Sequence, residues 1–305
     1  MVTRVGMIGH SEGNGHPFSF SAIINGYSEA GLREAGWPVI HTYVSRRHPA
    51  DFGVGDLRVT HAWTQDPEIT RALCRAANIA YAVTHPDDML GEVHALIIAR
   101  DDAESHWSLA RPFLEAGIPV FIDKPLTLDR IVLEYFVPYL EQGLLMSCSA
   151  MRYAMELDEL RKGLASYGEL KLIRGIILND WPKYGIHLLE AILSLAPSRP
   201  ISVRALPARH ESLLIMLEDG TPVIIDALGK APGIFNVELF GSEHISCHSI
   251  RDNFTMFRRA LWSFATMIRD ARPPIRPLST LDVIRTLIAG QDAIRLRREV
   301  VVHAA

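Results

Sequence analysis

Two short stretches carry side chains able to hold charge or move protons at a reaction centre: Ile122-Asp123-Lys124-Pro125 and Gly185-Ile186-His187-Leu188-Leu189-Glu190. In the first, a lysine stands just beyond a short apolar run. If that run is a parallel strand, Lys124 lies on the sheet edge where open α/β sheets bind ligands. Pro125 fixes the turn and biases Lys124 towards extended backbone. Taken alone, a lysine in such a turn is more often a surface charge. His187 lies in a helical pattern among Leu188, Leu189, Ile192 and Leu193, where a lone histidine is ordinarily a hydrogen-bonded core residue. A third stretch, Gly9-His-Ser-Glu-Gly-Asn-Gly-His-Pro17, is a polar, small-residue loop. Gly9, Gly13 and Gly15 let backbone N–H groups approach a pyrophosphate resting on the positive end of a following helix, with Ser11 and His16 in the same loop. The spacing departs from G-x-G-x-x-G, so a flexible βα turn stays open as the alternative.

The elements that must position these residues are legible. The first part alternates short apolar runs with helical patterns, the mark of βαβ units and a parallel sheet. Strands are expected at Val5 to Ile8, Val59 to Trp63, Ala95 to Ala99 and Val120 to Ile122. Helices are expected at Ser19 to Ala35, Pro67 to Ala77 and Ala103 to Ala116. Residues 37–56, with Pro38, Pro49, Gly53 and Gly55, read as an insertion. Val39 to Val44 within it competes as the second strand, but Val59-Thr-His-Ala-Trp63 leads more directly into the capped helix at Asp66-Pro67-Glu68. After Pro125 comes one more helix, Leu128 to Gln142, then the apolar Leu144 to Ser149. Strands follow at Leu170 to Leu178, Ile201 to Leu206, Ser212 to Leu217, Pro222 to Leu228 and Ile234 to Phe240. Helices at Thr255 to Arg269 and Thr280 to Arg297 close the chain. The fold class is therefore an α/β Rossmann-type parallel-sheet domain over residues 1–125, plus an α+β domain with a largely antiparallel, open-faced sheet over residues 126–305.

Composition narrows the chemistry. The 305 residues are 48% hydrophobic and 22% charged, with net charge −4. That balance gives no broad attraction for nucleic acid or anionic lipid and points to a small-molecule substrate. Cys74, Cys148 and Cys247 lack any C-x-x-C pair, which suits buried thiols in a reducing compartment. No signal peptide or membrane span is read, so a cytoplasmic protein is expected. The polar groups of the glycine loop fit phosphate hydrogen bonding more simply than metal ligation. No metal is expected.

Gly9 after the first strand, Asp66-Pro67-Glu68 after the second, Ala99-Arg-Asp-Asp-Ala-Glu-Ser-His106, Gly117-Ile-Pro-Val-Phe-Ile-Asp-Lys-Pro125, Gly185-Ile-His187-Leu-Leu-Glu190 and the Ala271-Arg-Pro-Pro274 turn follow one another in a recognisable order. In that order the chain resembles the Gfo/Idh/MocA oxidoreductases, the glucose-fructose oxidoreductase and inositol dehydrogenase group, over nearly its whole length. The resemblance implies a nicotinamide-dependent enzyme acting on a sugar-like or cyclitol-like substrate. It puts the family's Glu-Lys-Pro motif on Asp123-Lys124-Pro125 and its active-site histidine on His187. Lys124 would then polarise the substrate oxygen while His187 exchanges the hydroxyl proton. Ser11, His16, Thr64, Asp66, Arg100, Asp101 and Asp123 join the glycines at the cofactor. The second strand's tip, Thr64-Gln65-Asp66, holds an acid for ribose hydroxyls and no arginine for a 2′-phosphate, which leans to NAD over NADP. Asp66 alternatively only caps its helix.

This sequence also departs from the family. Where an aspartate commonly stands four residues before the histidine, it has Lys183. On an α-helix those positions share a face, so a lysine there would favour an anionic substrate; pointing to solvent is the equal alternative. The segment between Glu169 and Gly185 is short. Asn179, Trp181 and Tyr184 remain as substrate contacts, with Trp181 or Tyr184 either stacking on a ring or filling the seam between domains. Arg152 is a further candidate contact, or a structural ion pair. An imine or enone reductase, and a non-catalytic dinucleotide sensor, are the competing readings. A homodimer or homotetramer is expected through the open sheet face, assigned to the row Leu213, Ile215 and Leu217.

Overall fold

The apolar runs of the first part are buried on both faces, as strands covered by βαβ crossovers must be. The computed structural model describes residues 2–303. Strands β1 (Thr3–Ile8), β2 (Leu57–Trp63), β3 (Tyr81–Ala82), β4 (Ala95–Ile98), β5 (Val120–Ile122) and β6 (Leu145–Ser147) form one parallel sheet in the order β3-β2-β1-β4-β5-β6. The order reverses between β1 and β4, which makes the ends of these strands the switch point where such sheets take ligands.

Helices α1 (His16–Asn25), α2 (Glu29–Glu34), α3 (Pro38–Val44), α4 (Pro67–Ala76), α5 (His106–Glu115) and α6 (Arg130–Glu141) connect these strands. The single helix expected over Ser19 to Ala35 is two. Gly26 takes φ +74° and ends α1, and Ser28 caps α2 by accepting the Gly31 N–H at 3.2 Å. The expected insertion contains α3, so Val39 to Val44 is helical and the later segment is the strand. Asp66 caps α4, taking the Glu68 N–H at 2.8 Å.

Helices α7 (Asp158–Gly163) and α8 (Ile186–Leu193) flank β7 (Leu170–Ile177). The strands β8 (Pro200–Ala205), β9 (Glu211–Leu217), β10 (Pro222–Ala227), β11 (Phe235–Gly241), β12 (Ile245–Ser249) and β13 (Val300–Val301) complete a second sheet, ordered β12-β11-β7-β10-β9-β8-β13. Its pairings are antiparallel except β7 with β10, which run parallel. The long helices α9 (Asn253–Asp270) and α10 (Pro277–Leu296) follow β12. One face of the sheet is covered: a Cβ on Gly175 of β7 would press on Leu188 of α8, and Ile173, Val223, Ile215 and Leu213 share that face and are fully buried. The row Leu213, Ile215, Leu217 thus faces helices, correcting its assignment to the open side. The opposite face carries Leu172, Ile176, Ile224, Leu214 and Met216, all half-buried.

The chain forms two compact units. One takes residues up to 127, 131–147 and 257–275; the other takes 128–130, 148–256 and those from 276 onward. The first is larger than residues 1–125. β6 pairs with β5 as the sixth strand, and the later part of α9 packs Phe264 on Phe121 and Phe257 on Phe20, at centroid distances of 5.7 and 5.3 Å. Among the described residues no helix is long and apolar enough to cross a membrane.

Candidate functional site

In the first unit, the ends of β1, β4 and β5 bring together a set of paired charges. Asp123 is 2% exposed. It meets the His16 ring nitrogen Nδ1 at 2.5 Å and accepts a longer hydrogen bond from Asn14 Nδ2 at 3.4 Å. Burial opposes its charge, but His16 and the neighbouring Lys124 outweigh that and hold the carboxyl at about 2. Lys124, 4% exposed, pairs with Asp101 at 3.7 Å. Asp101 in turn accepts from the Ser11 hydroxyl, and its N–H donates back to Ser11 Oγ at 3.1 Å. Glycine loop, β4 end and Asp-Lys-Pro turn are therefore tied by the reciprocal Ser11–Asp101 hydrogen bonds and the Asp101–Lys124 ion pair. His106, fully buried below, faces the Leu126 and Arg100 carbonyl oxygens at 3.0 and 3.2 Å, and burial pulls its pKa down.

Around the glycine loop, a Cβ on Gly9 would collide with the Pro17 ring, and one on Gly15 would stand 2.6 Å from Ile40 Cδ1. Gly13 adopts φ +75° and looks into open space. His10 Nδ1 is buried with no hydrogen-bond partner. Burial lowers the His10 pKa, the Arg100 charge adds to that, and Asp66 opposes it, so the neutral ring is favoured. Arg100 donates to the His10 carbonyl at 3.1 Å and to Gln65 Oε1 at 2.9 Å, while binding Asp102 through two nitrogens at 2.7 and 2.6 Å.

In the second unit, His187 opens α8. Its Nδ1 lies 2.7 Å from Ser149 Oγ. Tyr184 and Phe235 meet the imidazole edge to face at centroid distances of 5.5 and 6.5 Å. One helical turn on, Glu190 is 1% exposed and binds Arg152 Nε at 2.6 Å. Arg152 also donates to Ser279 at 2.9 Å. Burial pushes the Glu190 carboxyl up, and Arg152 draws it back.

A family model described as an oxidoreductase family with an NAD-binding Rossmann fold matches residues 31–134. Inositol 2-dehydrogenase of Corynebacterium glutamicum (strain R) is 30% identical over 197 residues, which cover 53% of this chain and 56% of that protein. The match thus spans little over half of this curated relative. Over residues 31–134 the chain is thus similar to the Gfo/Idh/MocA oxidoreductases. The structure of Lactobacillus casei scyllo-inositol dehydrogenase with bound NAD(H) and scyllo-inositol has TM-score 0.77 at 15% identity, covering 100% of both chains. Myo-inositol dehydrogenase of Corynebacterium glutamicum ATCC 13032 has TM-score 0.75, also at 15% identity over 100% of both. At that identity the two structures speak for the fold.

In this Rossmann-type unit the residues fit a dinucleotide: Gly13 leaves the loop open, and the buried His10 Nδ1 lacks a partner. The α1 N-terminus offers its dipole more than free donors. Its His16 N–H goes to Asn14 Oδ1 at 2.9 Å, and the Phe18 and Ser19 N–H groups both go to the Gly15 carbonyl. Of the expected cofactor residues, Ser11, His16, Asp101, Asp123 and Lys124 are brought together. Thr64 is spent locally, on Thr70 at 2.9 Å and the Asp66 carbonyl at 2.6 Å. Asp66, exposed, serves its cap.

The expected substrate contacts separate more sharply. Trp181 is withdrawn. It is fully buried, its indole N–H donates to the Leu287 carbonyl at 2.9 Å, and Gly185 and Gly290 leave room for the ring, where a Cβ would strike it. Arg152 is held by Glu190. Asn179, at φ 59°, bonds through its backbone to Gly229 at 2.7 Å. Lys183 is exposed, and its turn, Trp181–Gly185, is π-helical. The α-helical rule that places i and i+4 on one face does not carry through such a turn. Tyr184 does touch His187. Ser149 lies outside every motif and its partner is 38 positions away, so the sequence does not mark it; His106 closes the Ala99 to His106 stretch, but nothing in that stretch marks it as a buried ring between two carbonyl oxygens.

Proposed function

We propose that this protein is a nicotinamide-dependent oxidoreductase moving a hydride to or from a carbonyl or hydroxyl carbon of a polyhydroxylated, cyclitol-like substrate. The observation that carries the reading is Lys124: a nearly buried ammonium at the C-terminal end of β5, held by Asp101, in a domain matching an NAD-binding family. The names of the inositol dehydrogenase relatives support the substrate class.

Bound nicotinamide would supply the hydride donor or acceptor. Gly9, Gly13 and Gly15 would take the diphosphate, with His10 beside them. The Lys124 ammonium stabilises charge on the substrate oxygen, which is worth most where water is excluded. His187 exchanges the hydroxyl proton. NAD remains the favoured cofactor although Arg100 reaches the β2 tip, because its charge is already answered by Asp102. The substrate proposed is a polyol without an acid group: Lys183 is the sole cation among Asn179 to Tyr184, and a single exposed lysine recognises an anion weakly.

The test is NADH formation from myo-inositol and scyllo-inositol. Lys124→Ala is expected to lower kcat/KM at least about 100-fold while NAD still binds by fluorescence titration. Undiminished turnover in that variant would falsify the assignment.

A further inference from the structure

We propose that Ser149 is a positioning residue for His187: its hydroxyl holds Nδ1 and leaves Nε2 as the nitrogen that exchanges protons. This rests on the oxidoreductase reading for its role in turnover, but the geometry stands by itself. Ser149 is 1% exposed, lies just after β6, and has Oγ 2.7 Å from His187 Nδ1. The same oxygen accepts the Met151 N–H at 3.3 Å, which fixes the side chain from behind. A serine hydroxyl has one donor and two acceptor sites. With one acceptor site turned to Met151, the second accepts from a protonated Nδ1 in the neutral ring and in the cation alike. Nδ1 thus keeps its proton while Nε2 gains and loses one.

The serine is itself anchored. Arg152, three residues further along the same segment, binds the buried Glu190 carboxylate at 2.6 Å. A buried ion pair is poor evidence for stability, because desolvation offsets much of its attraction. Here it has a positional consequence. Glu190 lies three residues after His187 on α8, so one carboxylate ties the segment carrying Ser149 to the helix carrying His187. Tyr184 and Phe235 limit ring rotation at centroid distances of 5.5 and 6.5 Å. Glu190 and Arg152 are charged groups behind the serine, and Lys183 stands on the preceding turn.

The experiment compares the full-length wild type with Ser149→Ala and Ser149→Thr. The His187 ring nitrogens are followed by 15N NMR over roughly pH 5 to 9, the range in which histidine titrates, and assigned by loss of signal in His187→Gln. The wild type should show one dominant neutral tautomer. Ser149→Ala should move the ring shifts towards a mixture of tautomers and displace the titration midpoint, and Ser149→Thr should restore both. With NAD and scyllo-inositol, Ser149→Ala should lower kcat about tenfold or more with KM little changed. Identical His187 spectra in wild type and Ser149→Ala overturn the proposal. So does a threonine variant that behaves like alanine while melting like wild type. If wild type turns over no inositol, the polyol reading falls, and the NMR comparison still decides the role of Ser149.

Discussion

The neighbourhood of Lys124 and that of His187 are built on different principles. Around Lys124 the side chains are mostly charged and answer one another: Asp123 with His16, Asp101 with Lys124, Arg100 with Asp102. Around His187 the second unit sets a serine hydroxyl and two aromatic rings, with an ion pair behind them. A neighbourhood of mutually satisfied charges is rigid and intolerant, since removing one partner strands the other in a poor solvent. A neutral one depends on packing and shape. The difference teaches that the first unit's site is fixed by electrostatics, whereas the second's is fixed by what fills the space around α8.

The contrast can be broken most forcefully at Trp181. If packing sets the second unit, Trp181→Ala, which empties a fully buried site between Gly185 and Gly290, should cost about 3–5 kcal/mol. Urea denaturation would show it, and a loss below about 1 kcal/mol would mean that the site is not a packing centre.

The first unit should answer to acid instead. Asp123 is held at about 2, below its ordinary value of 3.8, so the folded state binds its proton less readily than the unfolded chain does. That stabilisation is complete above the unfolded value and disappears as pH falls towards 2. Its size is on the order of 2 kcal/mol. Unfolding free energies measured down through that window should drop less steeply in Asp123→Asn than in wild type; parallel curves would remove Asp123 from the account.

The smallest effect sharpens the boundary of the charged region. Asp66 already accepts the Glu68 N–H. Asp66→Ala should therefore cost about 1 kcal/mol as a lost cap and leave NAD affinity unchanged. A markedly weaker NAD titration with unaltered stability would return Asp66 to the cofactor.

How much of this was legible in the sequence varied by element. β5 and β4 were read within a residue, because a fully buried parallel strand is an unbroken apolar run between breakers. The pattern over Ser19 to Ala35 reads as one helix because a single glycine and serine do not interrupt its period, yet Gly26 is a stop and Ser28 a new cap. β3 and β13 are two residues long, too short to leave a period. In β9 the residues Leu213 to Leu217 are apolar on both faces. Alternation then says that the strand has two sides but not which side the helices cover. At the site, Lys124 and His187 stood out through a motif order shared with a family. Ser149 did not, since its meaning comes from a contact across 38 positions. Trp181 misled for a related reason: an indole beside a candidate histidine looks like a stacking surface until two glycines, one more than a hundred positions away, are seen to house it.

The strand β7 has a consequence for the chain as it is made. Its two neighbours, β10 and β11, both come later in the sequence, at Pro222–Ala227 and Phe235–Gly241. A nascent polypeptide released up to β9 therefore presents both edges of β7 unpaired, with Ile173 and Ile177 lacking the strands that flank them. Unpaired edges recruit other chains. The span between β7 and its partners is thus the interval of synthesis during which this protein most depends on being shielded from its own copies.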